Sequence, residues 1–210
     1  MSERSNFWFN KNNYKKLNHI NFMNFIFKKQ NSFFEKFFYD FILLFNKKFS
    51  KFFSCCITIK FLYSCIDYHD RQDKSVYIKY IGKQFFLTGY TDKCLILITK
   101  DLFLIFINCL FGNFNDNAHE YFNNNDLTIN EINILDVLLQ KIFFICNKTF
   151  FKNISMSIIN NCKFIELNSS IYRRFVNLPY ICFIYKIYLN DRVFLLKIYI
   201  PYHIVEKFYR

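Results

Sequence analysis

Apolar residues recur at helical spacing between Ser32 and Ser50, and charged side chains occupy the positions between them. Ser32 and Glu35 have the S-x-x-E spacing of a capping box, in which each residue satisfies a free backbone N–H of the first helical turn. Spacings of three and four residues place side chains on one face of an α-helix. The pattern predicts an amphipathic helix that ends near Ser50. Its apolar face comprises Phe34, Phe37, Phe38, Phe41, Leu44, Phe45 and Phe49.

Runs rich in β-branched and aromatic residues follow this helix and predict three strands. Between the last two strands, Gly89 begins a four-residue turn that ends at Asp92, and glycine there supplies a positive φ. The two strands on either side of this turn are therefore expected to form a hairpin. The three predicted strands are Cys55–Tyr63, Val76–Thr88 and Lys93–Thr99.

A shorter helix is predicted over Leu102–Phe111, with Asp101 as its N-cap and Gly112 at its C-terminal end. The most apolar window of the chain, Cys94–Phe111, includes this segment. Lys100 and Asp101 interrupt the window, and two charges at the centre of a bilayer cost about 5 kcal/mol or more. The window is therefore predicted to be a buried strand that runs into a helix and not a transmembrane span.

After the polar segment 113–126 the same order of elements begins again. Thr128 and Glu131 form a second capping box, and a long helix is expected to follow it. A final helix is expected to begin at Pro201, since proline suits the first helical turn. The apolar face of the long helix comprises Ile132, Leu135, Leu138, Leu139, Ile142 and Phe143. The strands predicted after it are Ile154–Leu167, Tyr180–Leu189 and Arg192–Tyr199.

Matched features of the two halves lie at nearly constant distances along the chain. The capping boxes that begin at Ser32 and Thr128 are 96 positions apart, and the turns at Asp92 and Asp191 are 99 apart. Such offsets suggest two copies of one α-β-β-β-α unit, the alternative being a chance match of element order. Since neither unit can bury its sheet face alone, one antiparallel sheet is expected to continue across both halves.

The predicted fold class is therefore α+β, a pseudo-two-fold sandwich in which the two long helices pack on the sheet. Residues 1–30 are rich in Asn and Lys and have no sustained period, so they are expected to be a partly disordered N-terminal extension. Residues 31–210 would then form one domain of ordinary size.

Composition adds a caution about charge. The chain has 31 Phe and 15 Tyr but 3 Gly and 2 Pro, and Asn, Ile and Lys are abundant, as expected from A/T-rich codons. The net charge of +12 comes from scattered lysine pairs and not from an Arg-rich stripe. Solvated lysines are therefore favoured over a nucleic-acid surface, although a basic nucleic-acid binder remains an alternative that a steep salt dependence would reveal.

The residues of several common active sites are missing. Three glycines are too few for a phosphate-binding glycine loop, no G-x-S-x-G elbow occurs, and the acidic residues are scattered. The eight cysteines lie in apolar runs without a C-x-x-C pair, which favours reduced thiols in a cytoplasmic core. His19, His69, His119 and His203 lack ligand spacing to them. We therefore expect no catalytic residues, no metal and no cofactor, and a binding or structural protein.

Five short motifs occur in a characteristic order in and before the second half, namely Asp92–Ile98, Asp101–Phe103, Asn108–Gly112, Leu127–Glu131 and Ile198–Tyr202. This order resembles the middle domain of the FliM family of flagellar motor switch proteins, which looks like two fused halves of the CheC phosphatase fold. In that family a strand leads into D-x-LF-G, then a T-x-x-E helix and an I/L-P-Y/F helix start, and the similarity is collinear from about residue 20 to 210.

The resemblance implies a loop that docks FliG, the rotor protein that faces the stator. In the family a G-G-x-G segment follows the Leu-Phe-Gly helix end. Asn is the non-glycine residue that best tolerates positive φ, so the turn can persist, and Phe114 would be an exposed interface aromatic. The alternative is a loop that no longer docks. The matching positions are Phe111, Gly112, Asn113, Phe114 and Asn115, where only the first glycine remains.

The resemblance also implies the partners and the location. FliG and further copies of the chain in a ring are the expected partners, at the cytoplasmic side of the inner membrane in the flagellar basal body. The family's acidic E-I-D-x-L-L-x-G peptide, which binds phosphorylated CheY, does not occur in residues 1–30. The family's C-terminal FliN-like domain is expected to be absent. Contacts with CheY and FliN, and directional switching, are therefore expected to be reduced, and no nucleic-acid partner is expected.

A phosphatase of phosphorylated CheY is the alternative within the same fold. Its signature resembles [D/S]-x-x-x-E-x-x-N on the long helices. Asp116, Glu120 and Asn123 have that spacing but lie in the polar segment, and the second long helix offers Asn130 and Asn133 out of register. We interpret the match as accidental.

Overall fold

The computed structural model describes residues 38–52, 57–67, 80–111, 127–151, 157–159, 164–166, 179–189 and 192–206. The structural statements that follow concern these residues. The predicted capping box at Ser32 and Glu35 lies outside them, as do residues 1–30.

Two long helices carry the aromatic and aliphatic stripes that the sequence predicts. Helix α1 covers residues 38–52 and buries Phe38, Phe41, Phe45 and Phe49. The second long helix, α3, is Ile129–Cys146 and continues into a single π-helical turn, Asn147–Phe151. Its predicted apolar positions are buried except Ile132, which is partly buried and packs against the same core. Both long helices are thus confirmed as amphipathic.

The capping box of α3 is present as the sequence predicts. The backbone N–H of Glu131 donates to Thr128 Oγ1 over 3.3 Å, and the backbone N–H of Thr128 donates to Glu131 Oε2 over 2.7 Å. Two of the otherwise unpaired N–H groups at the helix start are satisfied in this way.

All strands that the structure describes belong to one antiparallel sheet. Its order is β1-β6-β7-β3-β2-β4, and β5 pairs with β2 beside β4. The turn between β2 and β3 contains Gly89 with φ of 82°, as predicted. The strands are Ile57–Asp67 (β1), Tyr80–Leu87 (β2), Lys93–Thr99 (β3), Ile158–Ile159 (β4), Phe164–Glu166 (β5), Tyr180–Leu189 (β6) and Arg192–Pro201 (β7).

The sheet order has the symmetry of a duplication. Strand β1 corresponds to β4 and β5, β2 corresponds to β6, and β3 corresponds to β7. When corresponding strands are exchanged, the sheet order reads in reverse, and the same pairs of strands remain neighbours. The axis of this exchange lies between β3 and β7, which pair from Leu95 with Tyr199 to Ile98 with Leu196. The predicted duplicated α+β sandwich is therefore confirmed.

The two long helices run antiparallel on one face of the sheet. Lys141 of α3 lies over the ring of Phe52 at 4.2 Å, whereas the ring of Phe38 lies 5.8 Å from that of Phe150. The end of α1 therefore meets the middle of α3, and its start meets the π-helical turn. Side chains from both helices and from the sheet form one continuous core.

The opposite face of the sheet carries a second, smaller cluster of buried side chains. Because neighbouring strand residues point to opposite faces, these residues alternate with those of the main core. They come from β2, β3, β6 and β7, so the central strands are buried on both faces. The cluster comprises Tyr80, Leu95, Leu97, Tyr180, Cys182, Ile184 and Tyr199.

Several elements differ from the predictions, among them β1, which continues to Asp67 and does not end at Tyr63. Helix α2 is Lys100–Leu110, and its N-cap is Thr99 and not Asp101, because β3 runs directly into the helix. Pro201 is the last residue of β7, paired with Tyr180, and the final helix α4 is Tyr202–Glu206. A proline is tolerated there because a strand end needs no further N–H donor. The single strand predicted from residue 154 to 167 is two short strands, β4 and β5.

The cysteines act as small apolar residues in the core. Cys94, Cys146 and Cys182 are buried, and burial raises the pKa of each thiol well above its ordinary value, so the thiols are neutral. Cys65 and Cys109 are partly buried. The other predicted core cysteines, Cys55, Cys56 and Cys162, lie outside the described residues.

Candidate functional site

The described part of the predicted docking site is the C-terminal end of α2. This helix buries Leu102, Phe103 and Phe106 in the main core, and the ring of Phe106 lies 5.9 Å from that of Phe49 on α1. Strand β3 continues directly into α2 without a linker, and this also fixes the start of the helix. The position of the C-terminal end of α2 is therefore fixed by the core contacts of the helix and not by contacts of its exposed last turn.

Phe111 is the C-cap of α2 and presents its ring to solvent. Its side chain is 74% exposed, and the preceding Leu110 is 38% exposed. The backbone N–H of Phe111 donates to the carbonyl of Ile107 over 3.1 Å, so the backbone is fixed although the ring is free of the core. An exposed aromatic on a fixed backbone can enter a partner's pocket with little loss of conformational entropy.

The other predicted docking residues, Gly112, Asn113, Phe114 and Asn115, lie outside the described residues, so the docking loop as a whole stays a prediction. Of the candidate phosphatase residues, Asp116, Glu120 and Asn123 also lie outside them. Asn130 and Asn133 are exposed on α3. Among the described residues, no cluster of three or more His, Cys, Asp or Glu could hold a metal ion.

A second surface feature, which the sequence did not predict, is a groove on the outer face of α3. It has a volume of about 330 Å³. We call it the α3 groove. It is lined by Lys48, Val137, Gln140, Lys141 and Phe144.

An ion pair between a buried lysine and a partly exposed aspartate lies next to this groove. Lys83 on β2, 5% exposed, reaches through the core face of the sheet to Asp136 on α3, to which it is hydrogen-bonded. The other carboxylate oxygen of Asp136 accepts a 2.8 Å hydrogen bond from Gln140 Nε2. The pair fixes α3 to β2 and also neutralises the carboxylate beside the groove.

The sequence did contain a signal for the groove. Val137, Lys141 and Phe144 have the i, i+4, i+7 spacing of one helical face. Lys141, Phe144 and Lys148 also have the i, i+3, i+7 spacing of one helical face. The groove itself needs Lys48 from the other helix, and sequence spacing alone does not reveal such a contact.

Comparison with known proteins gives a fold but no sequence family. No family model matches the chain. No curated protein matches it either.

Solved structures share the fold at low sequence identity. The FliM middle domain of Vibrio alginolyticus has 13% identity and a TM-score of 0.67, covering 83% of this chain and 96% of that one. The structure of the FliG–FliM complex from H. pylori gives 13% identity and a TM-score of 0.64, covering 83% and 93%. FliY of Thermotoga maritima gives 10% identity and a TM-score of 0.59, covering 83% and 94%.

These likenesses define the class of fold, which is a duplicated α+β sandwich with one antiparallel sheet. The chain has, more specifically, the fold of the FliM middle domain, and nearly the whole of that domain is matched. No helix among the described residues is long and apolar enough to cross a membrane.

Proposed function

We propose that the chain is a non-enzymatic structural subunit of the cytoplasmic ring of a flagellar basal body, the motor switch complex. It docks FliG through Phe111–Asn115 and packs side by side with further copies of itself. It lies peripherally at the cytoplasmic side of the inner membrane, in a machine of motility and chemotaxis. The observation that carries the proposal is the match to FliM middle domains over 83% of the chain, including a FliM solved together with FliG.

The exposed end of α2 supports the docking role. Phe111 and Leu110 present two adjacent apolar side chains that the core does not use. Aromatic residues are enriched in the buried centres of protein–protein interfaces. A partner that covers Phe111 would remove most of its apolar surface from water, and burial of a Phe side chain contributes about 1.5–3 kcal/mol.

A pull-down with FliG from the same genome tests the proposal. Phe111→Asp, and Asn113→Asp together with Phe114→Asp, are expected to weaken binding at least tenfold, because a carboxylate in an apolar contact is costly to desolvate. Tyr39→Asp is the matched control, since Tyr39 is an exposed aromatic on α1 with 62% exposure. Equal binding by all variants would remove the end of α2 from the proposal.

The absence of enzymatic activity is tested separately. The lifetime of phosphorylated CheY from the same genome is expected to be unchanged by the protein. A shortened lifetime that depends on Asn130 or Asn133 would establish the phosphatase instead.

A further inference from the structure

The outer face of α3 carries an apolar stripe that the core does not use. Val137 and Phe144 lie seven residues apart, with Lys141 between them, so the stripe follows two turns of the helix over about 10 Å. Val137 is 48% exposed and Phe144 is 46% exposed. The opposite side of α3, with Leu135, Leu138 and Leu139, already fills the core. The stripe is therefore surplus to folding.

The rim of the α3 groove is positive. Lys48 Nζ lies 5.4 Å from the centre of the Phe144 ring, and Lys148 Nζ lies 5.8 Å from it. Lys141, which also lines the groove, lies over the ring of Phe52. Asp136, which precedes Val137 on the helix, is already paired with Lys83 and Gln140. Three ammonium groups thus lie around an apolar floor, and no Asp or Glu is among the described residues that line the groove.

We propose that the α3 groove is a docking site for an acidic amphipathic helix of another protein. An apolar side chain of that helix packs on Val137 and Phe144, and flanking Glu or Asp carboxylates pair with Lys48, Lys141 and Lys148. A helix that binds in a groove commonly uses apolar anchors at its positions i, i+3, i+4 and i+7. These anchors span two helical turns, which is also the length of the stripe on α3 from Val137 to Phe144. The proposal concerns a surface other than the end of α2 and does not depend on FliG docking.

Charge complementarity selects this occupant over the alternatives. A second copy of the chain carries a net charge of +12, so at this basic groove it is less complementary than an acidic partner, and the side-by-side packing of copies would use other surfaces. The chain's own residues 1–37 have seven Lys and Arg against two Glu, so they are not complementary either. Nucleic-acid sites usually use Arg and stacked aromatic residues, whereas this groove has lysines, one valine and a single Phe.

Fluorescence anisotropy with a labelled synthetic helix tests the proposal on the full chain. The probe has about three turns, Leu and Phe anchors at i, i+4 and Glu at the flanking positions. Binding is expected to weaken at least tenfold in Lys141→Glu and in Phe144→Ser, and to fall steeply with salt. A probe with Lys in place of Glu, and one with Ser in place of the anchors, should not bind.

Lys60→Glu is the matched control, because it makes the same charge change on the sheet face away from the helices, where Lys60 lies over Tyr188. It is expected to keep the wild-type affinity. Equal weakening by Lys60→Glu and Lys141→Glu would show an unspecific charge effect and overturn the proposal. Tighter binding of an oligonucleotide or of anionic lipid vesicles, lost in Lys141→Glu, would also overturn it in favour of a polyanion surface. Circular dichroism confirms that each variant is folded.

Discussion

At the scale of single residues, two tyrosines of β6 show how hydroxyl burial differs on the two sheet faces. Tyr185 is fully buried under the helices, and its hydroxyl has no hydrogen-bond partner among the residues that the structure describes. Tyr180, on the other face, donates its hydroxyl to the carbonyl of Lys93 over 3.1 Å. Burial raises the pKa of both phenols, so both are neutral at physiological pH.

Removing these hydroxyls is expected to have opposite effects. Tyr185→Phe should raise the free energy of unfolding by about 1 kcal/mol, because an unsatisfied buried hydroxyl carries a desolvation penalty. Tyr180→Phe should lower it by about 1 kcal/mol, because the Lys93 carbonyl loses its donor. Urea denaturation of both variants measures the two changes. A loss of stability in Tyr185→Phe would show that its hydroxyl has a partner after all.

The aromatic stripe of α1 could be predicted at this scale, but the environment of a polar group could not. Phe38, Phe41, Phe45 and Phe49 follow from helical spacing alone. Whether a tyrosine hydroxyl meets a carbonyl depends on which strand lies beside it. For the same reason the sequence could place Phe111 at the end of a helix but did not determine how exposed its ring is. The contact of Lys48 with Phe144 could not be predicted, because it joins two different helices.

At the scale of elements, one side-chain contact occurs at the same place in both halves. Asn46 Oδ1 on α1 accepts a 2.8 Å hydrogen bond from the backbone N–H of Ile59 in β1. Asn147 Oδ1, after α3, accepts one of the same length from Ile158 in β4. Each amide ties the C-terminal part of a long helix, or the turn that continues it, to the first strand after it. The two contacts support the duplication more directly than element order does.

The ion pair between β2 and α3 predicts an asymmetric response to substitution. Asp136→Leu should lower the free energy of unfolding by about 3 kcal/mol, because the side chain of Lys83 is 7% exposed and would keep an unpaired buried charge. Lys83→Met should cost less, because the side chain of Asp136 is 34% exposed and can be hydrated. Thermal and chemical denaturation measure both.

The double variant Lys83→Met with Asp136→Leu completes this test. It should recover most of the loss, since an apolar pair can replace a buried ion pair without penalty. Additive losses in the double variant would contradict the idea that an unpaired charge causes the instability.

Element prediction succeeded where one chemical pattern decides the structure. The strands Lys93–Thr99 and Tyr180–Leu189 and the capping box at Thr128 were predicted with their observed bounds. The prediction of a single strand from Ile154 was wrong, because β4 and β5 pair with different parts of β2. Such pairing depends on the tertiary structure and is not visible in the local sequence. The prediction that Asp101 is the N-cap of α2 was wrong, because β3 runs into the helix without a linker. The helix therefore begins at Lys100, and Thr99 takes the N-cap position.

At the scale of the whole molecule, the two halves exchange strands. The first strand of the first half, β1, pairs with β6 of the second half. The first strands of the second half, β4 and β5, pair with β2 of the first half. The central pairing of β3 with β7 also joins the halves. Neither half therefore contains a complete sheet.

This exchange predicts that the halves fold only together. Residues 1–118 and 119–210, produced as two chains, are each expected to lack a cooperative unfolding transition, because β1 in one and β4 with β5 in the other have no partner strand. Mixing should restore circular dichroism and one transition whose midpoint rises with concentration, as expected for a bimolecular complex. If residues 1–118 alone unfold cooperatively as a monomer, the first half is an independent domain, and the shared sheet is not what holds the fold together.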